Sequence, residues 1–266
     1  MVKIVVCMKL VMDPEVTFSS FKIDREAIKP IPPEGMPPVI NPFDENALEA
    51  ALKIKDEQDT KITVISLGRS LPKAILQRAL AVGADEVIGL EGPDFDHLDP
   101  FSTARALAKA IEKIGEYDLV FTGRQAADWD AGIVWAGIAE ILDLPSITIA
   151  RKIKIKDGKA IVERVTSDGI EIVEADLPAL INFSNEVGEL RPFSLPNLIK
   201  VKKMKIPKWA GSDVDLEDVN LMETRDFYIP DLGLVDCQFI TGESAEEKGR
   251  NLARKLAEEQ VILLGS

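Results

Sequence analysis

The chain has 266 residues, 46% of them hydrophobic, which is enough to fill the core of one large α/β domain, with or without a tail. Its formal net charge of −13 at pH 7 argues against nucleic acids and anionic membrane surfaces as partners, because both require a basic face. Cys7 and Cys237 are far apart in sequence, so neither a disulfide framework nor a thiolate metal site is expected. No apolar run approaches the roughly 20 residues that cross a bilayer. We therefore expect a globular, cytoplasmic protein.

The first apolar run, residues 2–7, predicts a buried β-strand. The segment that follows, 13–40, contains too many prolines for a helix or a central strand. They are Pro14, Pro30, Pro32, Pro33, Pro37 and Pro38. Irregular connections of this length are more often functional than not, so we expect the segment to lie over a ligand or a partner.

Strand and helix patterns alternate between residues 41 and 121, with short connections. Asn41 and Asp44 are helix-start residues, and Gly83 is a helix-stop residue. The predicted elements are a helix at 41–56, a strand at 61–67, a helix at 74–82, and strands at 84–90 and 119–121 on either side of a helix at 99–114. This alternation predicts an α/β fold with a doubly wound, mostly parallel sheet and right-handed crossovers.

The stretch 118–142 combines a buried strand, a polar turn and a nearly all-apolar helix. Asp128 or Asp130 is a suitable N-cap for that helix. Ligands of open α/β sheets bind beyond the carboxyl ends of the strands, where free N–H groups at a helix start can hold a phosphate. The stretch therefore predicts a binding crevice, although its pattern alone equally fits an ordinary connection between a strand and a helix.

The pattern changes after residue 146. Three alternating segments at 147–155, 160–165 and 170–173 predict an antiparallel meander, and 177–183 predicts a strand that rejoins the sheet. A basic run follows, which favours a solvated edge over a partner contact. It contains Lys200, Lys202, Lys203, Lys205 and Lys208. We divide the chain into an α/β domain at 1–208, which contains the predicted crevice, and an extended C-terminal arm at 209–266, which ends in an amphipathic helix at about 244–260 and is expected to pack on another surface.

Several catalytic signatures are missing from the sequence. There is no G-x-x-x-x-G-K-[ST] loop and no G-x-G-x-x-G after the first strand. No serine lies in a G-x-S-x-G motif, and His97, the single histidine, lies in a polar loop where solvation is its usual role. We therefore expect no catalytic residues and no turnover by this chain alone.

Three motifs occur in a specific order, Asn-Pro-Phe at 41–43, Gly-Arg-Gln-Ala-Ala-Asp at 123–128 and Leu-Pro-Asn at 195–197. With them the chain resembles the β subunit of electron transfer flavoprotein over nearly its whole length. The resemblance implies a Rossmann-like fold of the adenine nucleotide α-hydrolase type. It also implies a heterodimer with an α subunit that carries FAD, an AMP held in the β subunit, and electrons exchanged with acyl-CoA or other dehydrogenases and with a quinone reductase or another acceptor. It implies no direct insertion into a membrane.

By the same resemblance, the AMP site would lie at the ends of three strands and the loop before the first helix. The residues so assigned are Cys7, Asn41, Pro42, Phe43, Asp44, Leu67, Gly123, Arg124, Gln125, Ala126, Ala127, Asp128, Trp129, Asp130, Ala131, Gly132, Ile133 and Val134. Asp128 or Asp130 would accept hydrogen bonds from ribose or adenine, and backbone N–H groups at 131–134 would face the phosphate. Phe43 would extend toward the flavin ring, or would otherwise pack as a hydrophobic staple on the following helix.

The resemblance also implies a partner-recognition segment at about 184–205. Leu195 would be its exposed anchor, inserted into a pocket of the dehydrogenase, and Arg191 and Lys200 would belong to the same contact. Ordinary packing is the alternative for Leu195, because single exposed leucines are common.

The sequence departs from the family pattern at two places. Pro14 stands where members can have an aromatic residue, which puts a flavin contact in doubt, and Trp129, Gly132 and Ile133 replace a more polar set in the nucleotide turn. Some members bind a second FAD in place of AMP and bifurcate electrons from NADH, and this alternative stays open. An ATP-using enzyme of the α-hydrolase type would need a glycine-rich loop after the first strand, and residues 9–13 contain no glycine. A nucleotide-sensing stress protein is the third hypothesis.

Overall fold

The computed structural model describes residues 1–16, 22–26, 28–216, 220–229 and 237–259. The chain forms two compact units, Met1–Phe227 and Tyr228–Ser266. The predicted division at residue 208 stays a prediction. Among the described residues, the first unit contains a mixed sheet of nine strands. Their order across the sheet is β11 (Gly169–Asp176), β10 (Lys159–Thr166), β9 (Ser146–Lys156), β12 (Ala179–Phe183), β8 (Leu119–Gly123), β1 (Val2–Cys7), β6 (Thr60–Gly68), β7 (Glu86–Glu91) and β13 (Lys208–Trp209).

The centre of this sheet is parallel and buried on both faces. Its strands are short runs of β-branched and other apolar residues, as a sheet covered on both sides requires. They are β1 (Val2–Cys7), β6 (Thr60–Gly68), β7 (Glu86–Glu91), β8 (Leu119–Gly123) and β12 (Ala179–Phe183). The chain winds outward from β1 through β6 to β7 and then returns to place β8 on the other side of β1. The direction of winding therefore reverses between β1 and β8.

Helices cover both faces of the sheet. Leu48 and Leu76 belong to the core on one face, and Leu107 and Ile138 belong to the core on the other. The helices of the first unit are α1 (Pro42–Glu57), α2 (Lys73–Val82), α3 (Pro100–Ile114), α4 (Val134–Ile141) and α5 (Leu195–Val201). The predicted doubly wound α/β fold is thereby confirmed.

An antiparallel meander extends the sheet at one side. It consists of β9 (Ser146–Lys156), β10 (Lys159–Thr166) and β11 (Gly169–Asp176), and β9 joins the parallel part through β12. At the opposite side, β13 (Lys208–Trp209) pairs with β7. The meander follows the predicted one, and the last lysine of the basic run lies on an edge strand.

Short paired strands lie within and beside the proline-rich segment 13–40. Here β2 (Leu10–Val11) pairs with β5 (Val39–Ile40), and β3 (Lys22–Asp24) pairs with β4 (Lys29–Ile31). All four lie outside the main sheet, which agrees with the exclusion of central strands by proline.

The second unit contains the helix α6 (Ala245–Glu258). Ser244 caps it, because its hydroxyl accepts the backbone N–H of Glu247 at 3.1 Å. This helix agrees with the amphipathic one predicted, whose last residue, Gln260, lies outside the described residues. No helix among the described residues of either unit is long and apolar enough to cross a membrane.

Candidate functional site

A cavity of about 590 Å³ opens where the winding of the sheet reverses. Cys7, Met8 and Lys9 at the end of β1 and Thr122 at the end of β8 line it. Crevices at such reversal points are the usual ligand sites of open α/β sheets. The cavity volume lies within the range of about 300–1,000 Å³ that small-molecule sites occupy.

The loop before α1 joins the ends of the two strands. Asn41 donates from Nδ2 to the carbonyl of Gln125 at 2.8 Å and accepts from the N–H of Ala127 at 3.0 Å. Asp44 accepts from the N–H of Lys9 at 2.7 Å and from the N–H of Gly123 at 3.1 Å. Two side chains of the Asn-Pro-Phe-Asp loop therefore hold the turn that forms the rim of the cavity.

Asp44 is a buried carboxyl group with an altered pKa. Burial raises its pKa to about 7, while the N–H donors of Lys9 and Gly123 and the amide of Asn41 act in the opposite direction. Burial, together with the charge of Asp44, also raises the pKa of the Cys7 thiol above its ordinary value. Cys7 is thus a protonated thiol at neutral pH and contributes packing and backbone rather than nucleophilic chemistry.

Gly123 is required by the close approach of this loop. A Cβ at this position would lie 2.5 Å from both the carbonyl carbon of Phe43 and Oδ1 of Asp44. No real side chain tolerates such distances, so only glycine allows the end of β8 to contact the start of α1.

The polar turn after β8 is ordered by one long-range contact and one local contact. Lys9 Nζ contacts both carboxylate oxygens of Asp128, at 2.7 and 2.8 Å, and Gln125 donates to Asp130 at 2.7 Å. The prediction that Asp128 or Asp130 caps the following helix is wrong, because α4 begins at Val134, after Ile133, and no side chain caps it.

Most of the predicted cofactor-binding residues meet at this cavity. Those lining it are Cys7, Asn41, Asp44, Leu67, Gly123, Arg124, Gln125, Ala126, Asp128, Trp129, Ala131, Gly132, Ile133 and Val134. Pro42, Phe43, Ala127 and Asp130 do not line it. Pro42 is the first residue of α1, and the guanidinium of Arg124 lies 4.7 Å from the centre of the Phe43 ring. Their role toward a cofactor stays a prediction.

Other lining residues were not predicted from the sequence. Lys9 follows β1, and Asp99 and Thr103 lie at the start of the helix after β7. Because ligands of open α/β sheets bind beyond the carboxyl ends of the strands, the position of these residues after a strand was the signal that could have identified them. His97, which we expected to be only solvated, also lines the cavity. Residues 28–30 of the proline-rich segment line it as well.

A second unpredicted wall comes from residues that follow the last strand. Met222, Glu223, Thr224 and Phe227 line the cavity. The rings of Phe227 and Trp129 meet edge to face, with centroids 5.6 Å apart. No local sequence pattern announces this contact, because it joins segments far apart in the chain.

The predicted recognition segment, 184–205, contains two exposed apolar side chains on one helix. Leu195 is 73% exposed and Ile199 is 64% exposed, and the two are four residues apart on α5. Lys200 is exposed in the last turn of the same helix. The segment thus presents an apolar pair beside basic side chains.

Arg191 holds the base of this segment to α1. Its guanidinium contacts Glu49 at 3.0 Å and Asp56 at 2.7 Å, and its backbone N–H donates to Glu49 at 3.0 Å. These hydrogen bonds raise the pKa of Arg191 above its usual range. Nearby, Asn46 donates to the carbonyl of Gly188 at 2.7 Å. The arginine predicted to touch a partner is therefore engaged within the chain.

The chain is similar to known proteins over most of its length. A model of the electron transfer flavoprotein domain matches residues 34–214. The chain is 42% identical over 191 residues to the electron transfer flavoprotein subunit beta of Thermoanaerobacterium thermosaccharolyticum, covering 71% of this chain and 73% of the relative. It is 37% identical over 268 residues to the caffeyl-CoA reductase-Etf complex subunit CarD of Acetobacterium woodii, covering 98% and 100%. It is 35% identical over 194 residues to Protein FixA of Azorhizobium caulinodans, covering 70% and 69%.

These matches confirm the resemblance drawn from the three motifs, all of which lie inside the matched region. The chain belongs to the electron transfer flavoprotein family, whose members are flavoproteins of electron transport, and within it to the relatives of the β subunit.

Proposed function

We propose that this chain is the β subunit of a heterodimeric electron transfer flavoprotein and that it binds AMP in the crevice between β1 and β8. The observation that carries the proposal is the 590 Å³ cavity at the reversal point, which gathers most of the predicted nucleotide residues. Its turn is held by two side chains of the Asn-Pro-Phe-Asp loop, so the site is formed before a ligand enters.

The chain's own residues would bind and orient the nucleotide. Free backbone N–H groups at the start of α4, residues 131–134, would face the phosphate, where no side-chain cap competes for them. Lys9, paired with Asp128, supplies a cation at the same rim. The apolar side chains of Trp129 and Trp135 would cover the adenine and exclude water.

The electron-transfer chemistry would come from the FAD of the α subunit, which exchanges electrons when it is bound. This chain would enclose that flavin and present segment 184–205 to dehydrogenases. Phe43, partly exposed beneath the guanidinium of Arg124, is the residue proposed to limit solvent at the flavin.

The test is the cofactor content of the intact complex. The chain is co-purified with its α subunit, the complex is denatured, and the released FAD and AMP are quantified by chromatography. About one FAD and one AMP per heterodimer are expected. A complex without any adenine nucleotide in the β subunit would refute the proposed site.

A second FAD in place of AMP is the alternative function, with electrons bifurcated from NADH. The favouring observation is the extent of the cavity, which continues past the nucleotide turn to His97 and Phe227 along a largely apolar wall. The relative aligned over its full length belongs to a caffeyl-CoA reductase-Etf complex. Two FAD and no AMP per heterodimer would favour this alternative and refute AMP binding.

A further inference from the structure

A short exposed segment covers one side of the cavity. Residues 220–227, which we name the strap, contribute Met222, Glu223, Thr224 and Phe227 to the lining. Leu221 and Met222 nevertheless expose most of their side chains to solvent. The strap therefore has no core of its own, and its position depends on a few specific contacts.

One end of the strap is fastened at the start of α3. Oδ2 of Asp99 accepts the backbone N–H groups of Leu221, at 2.5 Å, and of Met222, at 2.8 Å. Asn220 accepts the N–H of Asp99 at 3.0 Å and donates to the carbonyl of His97 at 3.2 Å. Although burial raises it, hydrogen bonds from backbone N–H groups hold the pKa of Asp99 below its usual value, so the acceptor is ionised at neutral pH.

Asp99 has a second role that can be separated from the first. Its other oxygen, Oδ1, accepts the N–H of Ser102 at 2.7 Å and caps α3. Asparagine caps helices about as well as aspartate but offers only one acceptor oxygen. Asp99→Asn would keep the cap and turn an amide donor toward two N–H donors of the strap.

The other end of the strap reaches the nucleotide turn. Phe227 contacts Trp129 edge to face, at an interplanar angle of 73°, and Trp129 follows the Gly-Arg-Gln-Ala-Ala-Asp motif directly. The strap is thus fastened at His97 and at Asp99, the N-cap of α3, on one side of the cavity, and its other end contacts the turn after β8.

We propose that the strap is a gate over the nucleotide crevice and that Asp99 and Asn220 form its latch, so that a nucleotide enters and leaves only when residues 220–227 swing open. This inference rests on the proposed nucleotide site. Asp99 and Asn220 act on the nucleotide through the strap and are positioning residues.

The experiment measures association and dissociation rates of AMP with the intact heterodimer, freed of nucleotide by dialysis, in stopped-flow and chase formats. The variants are Asp99→Asn and Asn220→Ala, the second of which lies outside the cavity lining. Asp118→Asn is the matched control. Asp118 also accepts a backbone N–H, from Lys3 at 2.7 Å, but at the amino ends of β1 and β8, away from the cavity.

A gate predicts that both rates rise together. Loss of one or two of these hydrogen bonds should raise each rate roughly tenfold, with a much smaller change in Kd, while Asp118→Asn exchanges AMP like the wild type. Faster dissociation with an unchanged association rate would show that the strap only lines the cavity, which would overturn the gate. Wild-type rates in both variants would overturn it as well. A wild-type complex that binds neither AMP nor FAD in this subunit overturns the proposed function and the gate with it.

Discussion

The proposed nucleotide crevice and the proposed recognition segment differ in how their side chains are used. In the crevice, buried side chains such as Asn41 and Asp44 bind backbone N–H and C=O groups and so hold the rim in place. In segment 184–205, Arg191 and Asn46 fix the base, while Leu195 and Ile199 stay exposed. The difference fits a site formed for one small ligand beside a surface that is completed only by a partner protein.

Gly123→Ala is expected to cause the largest loss of stability, because it adds a methyl group where the backbones of two segments of the crevice are in close contact. A methyl group 2.5 Å from the carbonyl carbon of Phe43 forces backbone apart, which costs about 3 kcal/mol or more. Urea unfolding measures the loss. Gly249→Ala in α6, where nothing lies within 4 Å of the added Cβ, is the control and should stabilise slightly. Equal behaviour of the two variants would contradict the close-contact explanation.

Asp44→Asn should destabilise the chain by roughly 2–3 kcal/mol, because the amide cannot accept both N–H groups that Asp44 accepts. The effect depends on pH. The raised pKa of about 7 means that the folded state binds the Asp44 proton more tightly than the unfolded state. The stabilisation of the folded state that comes from this tighter proton binding is therefore complete below the ordinary pKa of about 4 and is lost as the pH rises to about 7.

Urea unfolding of the wild type and of Asp44→Asn across this pH range tests the direction of the pH dependence. The stability advantage of the wild type over the variant should shrink from pH 4 to pH 7. Asp85→Asn is the control, because that carboxylate also accepts a backbone N–H, from Ile62 at 2.8 Å, but is partly exposed. A wild-type advantage that grows with pH would show that folding lowers the pKa of Asp44 rather than raising it.

Leu195→Ala tests segment 184–205. It should weaken docking to a dehydrogenase and leave the folding stability unchanged. An anchor of this kind contributes about 2 kcal/mol, so kcat/KM for flavin reduction by the cognate dehydrogenase should fall roughly thirtyfold. Ile172→Ala, which removes a 65% exposed side chain from the meander, is the control. Unchanged transfer with every candidate dehydrogenase would refute the recognition role.

Arg191→Lys should give the smallest effect. A lysine keeps the charge but cannot hold Glu49 and Asp56 with a planar fork, so a stability loss of about 1 kcal/mol and a milder docking defect are expected. Arg250→Lys, at the exposed pair with Glu246, should change neither. A docking defect as large as that of Leu195→Ala would instead indicate direct contact of Arg191 with the partner.

Local patterns predicted the fold well because strand and helix periodicities are properties of neighbouring residues. The helix predicted at 99–114 begins at Pro100, within one residue of the prediction, and Asp99 is its cap. The start of α4 was missed because Asp128, a good cap by type, instead pairs with Lys9, 119 residues away in sequence. The strap was missed for the same reason, since the contacts of Asn220 and Phe227 are long-range and leave no periodic signal.

The contact between Asp44 and Gly123 also bears on how the two sequence motifs can evolve. The two residues are 79 positions apart, yet Asp44 accepts the N–H of Gly123, and its Oδ1 lies 2.5 Å from where a Cβ at position 123 would stand, so a substitution at either position changes the environment of the other. Substitutions at the two positions should accordingly be strongly epistatic. A chimera that exchanges one motif with a distant homologue should fail unless the other motif is transferred with it.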